Sequence, residues 1–204
     1  MRSICALLLF FPILLHGQAK KAVQLAEAGL QKYSLSSGQI EYTITGDGEG
    51  AEVMVFDHNG WRSMRKQTMV FELYGIKTIQ TLHEITDGDF TYRLNEGDST
   101  MISRKDYKWS QQASYKDPKE VSEAILFSMG GTYVADSTLL DRTCQVWSFE
   151  NKAVQELWTW KGLVMKRKIK LGEQLIHSTA SNIKLDVELD DILFAIPDYM
   201  REKK

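Results

Sequence analysis

Alternation of hydrophobic and polar residues runs through most of this chain and predicts a mainly β protein. Ile40, Tyr42 and Ile44 alternate with polar residues, which is the period of a strand that buries one face. Short turns separate such segments, among them the Asn-Gly pair at 59–60, which is typical of tight hairpins. We expect about ten strands, at 40–45, 51–56, 61–70, 71–85, 90–94, 100–103, 143–149, 154–160, 163–169 and from 173 onward.

The last of these strands has the cleanest alternation in the chain. Apolar residues at 183, 185, 187 and 189 alternate with charged residues at the positions between them. This pattern predicts one long strand that continues through residue 190.

Two segments have the pattern of helices. Residues 20–33 place apolar side chains near helical spacing. The second helix begins after Asp117, an N-cap residue followed by Pro118, and it ends at the Gly-Gly pair at 130–131. Because a sheet of about ten strands is large enough to curl, we expect a single curved antiparallel sheet. It would form an open half-barrel, with the N-terminal helix and the internal helix on its concave side.

The first nineteen residues have the layout of a secretory signal peptide. Arg2 gives a short basic start, an apolar run follows at 4–15, and small residues stand at Gly17 and Ala19. The run is shorter than the roughly 20 residues of a membrane-spanning helix. We therefore expect cleavage after Ala19, a periplasmic or secreted location, and one domain over 20–204 that does not span a membrane.

Composition and cysteine content exclude several classes of function. With 25 Lys and Arg against 27 Asp and Glu, the chain lacks the basic excess of a nucleic-acid-binding protein. Beyond residue 19, Cys144 is the only cysteine, so no intrachain disulfide is expected, and its strand context predicts a small buried residue. His58, His83 and His177 are too far apart for a zinc signature. With no nucleophile motif either, we expect a protein that is not an enzyme and has no cofactor.

Aromatic residues supply the first candidate binding site. Trp158 and Trp160 are two residues apart and therefore share one face of a strand, and Trp147 lies one hairpin away. Core packing explains such residues, but a broad apolar concave face could also hold an acyl chain. The candidate cavity lining consists of Phe90, Tyr92, Trp147, Trp158 and Trp160.

Three lysines supply the second candidate site. Lys166, Lys168 and Lys170 fall on one face of a predicted strand, and Arg167 falls on the other. A solvated sheet face, or an edge protected against pairing, accounts for this basic ladder. The alternative is a docking site for an acidic partner or a lipid headgroup.

Several segments together carry a resemblance to a known family. They are the signal peptide and first helix, Ile-Glu-Tyr-Thr at 40–43, the hairpins through Asp-Gly-Asp-Phe-Thr-Tyr at 87–92, Cys-Gln-Val-Trp at 144–147, Leu-Trp-Thr-Trp-Lys-Gly-Leu at 157–163 and the ending at 190–199. In this order they resemble the periplasmic lipoprotein-carrier (LolA/LolB-like) superfamily and related uncharacterised secreted proteins of Bacteroidota-type bacteria.

The resemblance implies a fold and a function. The fold would be an open half-barrel with helices over a concave cavity, and the function non-enzymatic carriage of a lipid or lipoprotein acyl chain. The alternative is an envelope protein-interaction or sensing module with the same fold and a filled core. Carriers of the family open and close under the control of an arginine, and both Arg62 and Arg65 lie in the corresponding part of this chain.

Overall fold

The structure is a computed structural model that describes residues 19–73, 75–107, 117–150 and 152–203. The expected signal peptide lies outside the described residues, apart from Ala19. The helices are α1 (Ala19–Glu27) and α2 (Pro118–Ser128). The strands are β1 (Gly38–Gly46), β2 (Gly48–Asp57), β3 (Arg62–Leu73), β4 (Ile76–Asp87), β5 (Phe90–Asn95), β6 (Thr100–Lys105), β7 (Gly131–Leu139), β8 (Arg142–Phe149), β9 (Val154–Trp160), β10 (Leu163–Leu171), β11 (Gln174–Leu185) and β12 (Arg201–Glu202).

All these strands belong to one sheet, in the order β12-β6-β5-β4-β3-β2-β1-β11-β10-β9-β8-β7. Neighbouring strands pair antiparallel, except that β12 runs parallel to β6. From β1 in the middle, β1–β6 form a meander to one edge, and β7–β11 return from the other edge. Helix α2 lies in the chain between β6, which is next to the β12 edge, and β7, which forms the other edge. The prediction of a mainly β protein with one large sheet is confirmed.

Two strands, β7 and β12, were not expected from the sequence. In β7 a bulge lies between Tyr133 and Ala135, and most of its residues are exposed, so hydrophobic alternation is absent. As an edge strand, β7 packs against only one neighbour. Strand β12 consists of two charged residues, which pair with Thr100 and Met101 of β6. A strand of two residues is too short to show hydrophobic alternation.

The predicted length of the last long strand is wrong. Strand β11 ends at Leu185, and Asp186 adopts a left-handed conformation with φ 51°. Beyond this point the chain leaves the sheet, and Leu189 packs in a cluster with Phe194. The alternating apolar residues beyond 185 therefore belong to an irregular segment that buries only one of its sides.

Helix α1 is shorter than predicted and lies elsewhere. It ends at Glu27, and Gly29 follows with φ +78°, which favours glycine and stops the helix. The backbone N–H of Ala22 donates to Asp87 Oδ1 at 3.1 Å, at the end of β4. Helix α1 therefore caps one end of the sheet instead of lying on its concave side.

Helix α2 begins and ends where the sequence predicts. The carboxylate of Asp117 accepts a hydrogen bond from the backbone N–H of Lys119 at 2.9 Å and so caps the first turn. At the other end of the helix, Leu126 packs in one cluster with Trp147 and Leu157 of β8 and β9. This contact attaches α2 to the sheet.

The two faces of the sheet bury different side chains. One face carries Glu52 and Arg65, and we call it the concave face because the cleft described below opens on it. On the other face, the convex one, Val55 and Met64 pack against the C-terminal segment 187–203, to which Phe194 belongs.

Candidate functional site

A cleft of about 950 Å³ opens on the concave face. Strands β3–β6 line one side of it and β10–β11 line the other, which requires the sheet to curve between them. Its apolar lining residues are Met69, Leu82, Leu94, Met101, Ile102, Ile169, Leu171 and Ile176. Small-molecule pockets have volumes of roughly 300–1,000 Å³, so the cleft has room for a ligand with a hydrocarbon chain.

A buried carboxylate lies at the centre of the concave face. The side chain of Glu52 is only 2% exposed, and it forms ion pairs with Arg167 of β10 and Arg65 of β3. Its Oε2 is in contact with Arg167 Nη2, whereas its Oε1 is 3.8 Å from Arg65 Nε. A buried charge is tolerated when it is paired, so the two arginines stabilise Glu52 in this position.

The ion pairs continue toward the β6 edge. Arg65 Nη2 is 3.3 Å from Glu84 Oε2, and Arg93 Nη2 is 2.7 Å from Glu84 Oε1. Register places these residues in a row, since Arg65 pairs with Glu84 and Glu84 pairs with Arg93. The network of Arg167, Glu52, Arg65, Glu84 and Arg93 contains three positive and two negative charges, which leaves one positive charge in excess. We call it the arginine–glutamate network.

Two buried polar atoms beside the network have no hydrogen-bond partner among the described residues. They are Nε of Arg65 and Oγ of Ser178. Ser178 is 2% exposed and lies directly opposite Arg167 in the β10–β11 register. Arg65, Arg167 and Ser178 all line the cleft. Unpaired buried donors are costly, so a polar group that reached either atom would be stabilised there.

The apolar part of the cleft lies to one side of this polar centre. On β3, Met69 follows Arg65 by four residues, which corresponds to roughly 13 Å along a strand. On β10 and β11, Ile169 and Ile176 pair with each other two residues beyond Arg167, on the same face. Hydrocarbon surface therefore extends from the arginines toward one end of the sheet, and the cleft is amphipathic along its length.

The structure separates the predicted cavity-lining residues. Phe90 and Tyr92 stack with ring centroids 6.2 Å apart, and they alternate with residues of the concave face on β5. Tyr92 packs with the convex-face cluster that contains Ile85 and Phe194. Phe90 and Tyr92 thus lie on the face opposite the cleft.

The three tryptophans of the prediction also lie away from the cleft lining. Trp147 packs beneath α2. Trp158 is covered by the ammonium of Lys166 at 4.4 Å from its ring centroid. Trp160 borders a second pocket of about 500 Å³ and has the guanidinium of Arg142 4.9 Å from its ring. A ligand contact by any of these aromatic residues stays a prediction.

The basic ladder lies on the face of β10 opposite Arg167, as alternation predicts. Lys166 forms an ion pair with Glu156 at 3.3 Å, and Lys170 forms one with Glu173 at 3.7 Å. Lys168 lies opposite His177 in the register. Two of the three charges are thus paired within the protein, and a role in docking a partner stays a prediction.

The structure distinguishes the two arginines that the sequence left open. Arg62 donates from Nε to Asp57 at 2.8 Å and from Nη1 to Asp191 at 2.7 Å, and its guanidinium lies 4.4 Å from the Phe194 ring centroid. It therefore fastens the C-terminal segment to the convex face. Arg65, on the other face, belongs to the cleft.

The described residues show little other chemistry. Cys144 is fully buried, and burial raises the pKa of its thiol, as expected for a structural cysteine. Within the described ranges, no three His, Cys, Asp or Glu side chains come close enough to hold a metal ion. The helices of the described part are too short, or too polar, to cross a membrane.

Sequence reasoning missed the arginine–glutamate network, although two signals pointed to it. Glu52 is the only charged residue within the apolar segment 51–56 of β2, and a lone charge in a buried strand indicates a buried ion pair. Arg167 lies on the side of β10 opposite its lysine neighbours. The pairing of Glu52 with Arg167 could not be predicted, because it joins positions 115 residues apart.

No protein-family model and no curated protein sequence matches the chain. Its fold is similar to the crystal structure of an uncharacterized conserved protein from Thermus thermophilus, with a TM-score of 0.52 and 8% identity, covering 89% of this chain and 99% of that one. More distant are MucB (TM-score 0.42, 15% identity, covering 89% and 63%) and LprF from Mycobacterium bovis (TM-score 0.37, 11% identity, covering 85% and 97%). The likeness to the Thermus protein shows a shared fold alone.

Proposed function

We propose that this protein is a non-enzymatic binder or carrier of a lipid or lipoprotein acyl chain. The observation that carries the proposal is the cleft on the concave face, with its apolar lining at Met69, Ile169 and Ile176. Burial of each methylene group contributes about 0.8 kcal/mol, so a hydrocarbon chain in such a cleft would be bound by the hydrophobic effect alone.

The same proposal places the protein in the periplasm or outside the cell, as a relative of the LolA/LolB-like carriers. Support comes from the signal-peptide pattern, from the sequence segments that resemble the family, and from the single open sheet with a cleft on one face. In that setting an acyl chain would leave one membrane and be shielded from water during transfer to another.

Displacement of a neutral fluorescent probe, N-phenylnaphthylamine, tests binding directly. The purified protein should bind the probe in its cleft and release it when palmitate or lysophospholipid is added. Replacing the half-buried Ile169 with Gln removes apolar lining from the cleft, so this variant should bind roughly tenfold more weakly.

Lys168→Gln is the matched control, because Lys168 is the neighbour of Ile169 on β10 and faces the other side of the sheet. It should bind as the wild type does. Equal binding by wild type and I169Q, or no displacement by any lipid, would contradict the proposal and favour an interaction module with a filled core.

A further inference from the structure

We infer that the ligand of the cleft carries an anionic group, a carboxylate or phosphate, which Arg65 and Arg167 bind together with the hydroxyl of Ser178. The inference rests on the proposed function and adds the chemical class of the ligand and its orientation. The anionic group would lie at the arginine–glutamate network, and its hydrocarbon chain would extend past Ile169 and Ile176.

The charge of the cleft lining favours an anion. Arg65 and Arg167 are balanced by Glu52 and Glu84, so within the network the excess positive charge lies on Arg93, which is 63% exposed. The residues that line the cleft include one acidic side chain, Glu96, against five basic ones: Arg65, Lys66, Arg93, Arg167 and Lys203. Such a lining attracts an anionic ligand.

Two unsatisfied donors also favour an anion. Nε of Arg65 has a buried N–H, and Ser178 has a buried hydroxyl, and neither has a hydrogen-bond partner among the described residues. A carboxylate or phosphate offers oxygen atoms that accept hydrogen bonds from donors of this kind. A neutral ester or alcohol offers weaker acceptors and no charge, so it would satisfy the same atoms less well.

The arginines and the apolar residues lie at different ends of the cleft. Arg167 and Ser178 face each other across β10 and β11, and the next pair on the same face is Ile169 with Ile176. On β3 the cleft lining passes from Arg65 through Gln67 to Met69. The cleft therefore offers one charged end and one apolar end, the arrangement that suits a single-chain anionic amphiphile.

Competition among three compounds tests the inference with unmodified protein. Palmitate, methyl palmitate and inorganic phosphate are each titrated against bound N-phenylnaphthylamine. Palmitate should displace the probe at a roughly tenfold lower concentration than methyl palmitate, because only the acid forms charge-assisted hydrogen bonds. Inorganic phosphate should displace nothing and should leave the affinity for palmitate within about twofold, since it lacks the chain that drives binding.

Variants test whether Arg65 causes the preference for the acid over the ester. In Arg65→Met, palmitate and methyl palmitate should displace the probe at about the same concentration, while methyl palmitate still binds. Arg104→Met is the control, because Arg104 is 77% exposed and lies outside the cleft lining, and it should retain the preference. If R65M fails to fold, the comparison of acid and ester on the unmodified protein decides.

The outcomes separate this inference from the proposed function. Equal affinity for palmitate and its ester would overturn the anionic site and leave the acyl-chain carrier standing. Binding of neither compound would overturn both. Loss of palmitate binding in excess phosphate, with methyl palmitate unaffected, would show a small-anion site and would also overturn the inference.

Discussion

Glu52 of β2 and Arg167 of β10 form an ion pair across the two strands, β1 and β11, that separate them in the sheet. Neither residue lies opposite the other in the strand pairing, so only their side chains make this contact. The pair therefore joins the two halves of the sheet, the meander β1–β6 and the returning strands β7–β11, on the face where the cleft opens.

This pair makes the centre of the sheet sensitive to single substitutions. Arg167→Met leaves the carboxylate of Glu52 buried with Arg65 as its remaining partner, and we expect it to lower the free energy of unfolding by about 3 kcal/mol. Urea denaturation measures the loss. The double variant E52M/R167M removes both charges and should lose less than R167M alone, and a larger loss in the double variant would contradict this account.

Lys32 should make stability rise with pH in the weakly alkaline range. Its side chain is 8% exposed, donates to the Gly88 carbonyl at 3.1 Å and lies over Trp61. Burial lowers the pKa of Lys32 from 10.5 to about 8, an effect that the charge of Asp89 only partly offsets. Between these values the unfolded chain binds more protons than the folded one, so stability rises by up to about 1.4 kcal/mol per pH unit.

Urea denaturation at several pH values from about 8 to about 9.5 measures this slope. The range stays below pH 10, since burial raises the pKa of Tyr33 from 10.0 to about 12 and reverses the sign above that point. The raised pKa of the Cys144 thiol opposes the slope near pH 9, and it does so equally in wild type and in the lysine variants. Lys32→Met should lose the slope, and Lys184→Met, an exposed lysine, should keep it. An identical slope in wild type and K32M would show that Lys32 is not its source.

Cys144 should not react with thiol reagents in the folded protein. Its side chain is fully buried in a cluster with Phe56 and Met165, and burial raises the pKa of the thiol. Mass spectrometry of the peptide that contains Cys144, after treatment with iodoacetamide, should show labelling only in denaturant. Rapid labelling under native conditions would mean that β8 opens or that the thiol has a functional role.

Phe194 of the C-terminal segment should contribute to stability without affecting the cleft. Phe194 is buried against Met64 and Ile85 on the convex face and lies beneath the Arg62 guanidinium. Phe194→Ala should lower the free energy of unfolding by about 3 kcal/mol. N-phenylnaphthylamine binding, measured well below the denaturation midpoint, should stay at the wild-type value. A parallel loss of binding would indicate that the two faces are coupled.

Local pattern predicted most of the fold because strands and helices are determined by nearby residues. Alternation indicated the strands from β1 to β6, and Asp117 with Pro118 marked the start of α2. The pattern failed at segments whose structure depends on contacts with residues distant in sequence. In β7 a bulge and exposure remove the alternation, and beyond Leu185 an alternating segment turns away to cover the convex face.

The candidate site depended on contacts that no local pattern contains. The sequence favoured tryptophans because large aromatic side chains are common in ligand cavities, but Trp147 is committed to packing against α2. Arg65 and Arg167 became candidates only when the register placed them around Glu52. Charged residues far apart in sequence acquire their role from the curvature of the sheet.

The central claim is that the concave cleft holds an acyl chain, and analysis of co-purifying lipid tests it most directly. The protein is purified without detergent, extracted with organic solvent and analysed by lipid mass spectrometry. We predict a lipid or fatty acid in a stoichiometric amount in the wild type and much less of it in I169Q. A folded protein free of lipid, which also takes up neither palmitate nor lysophospholipid, would contradict the account.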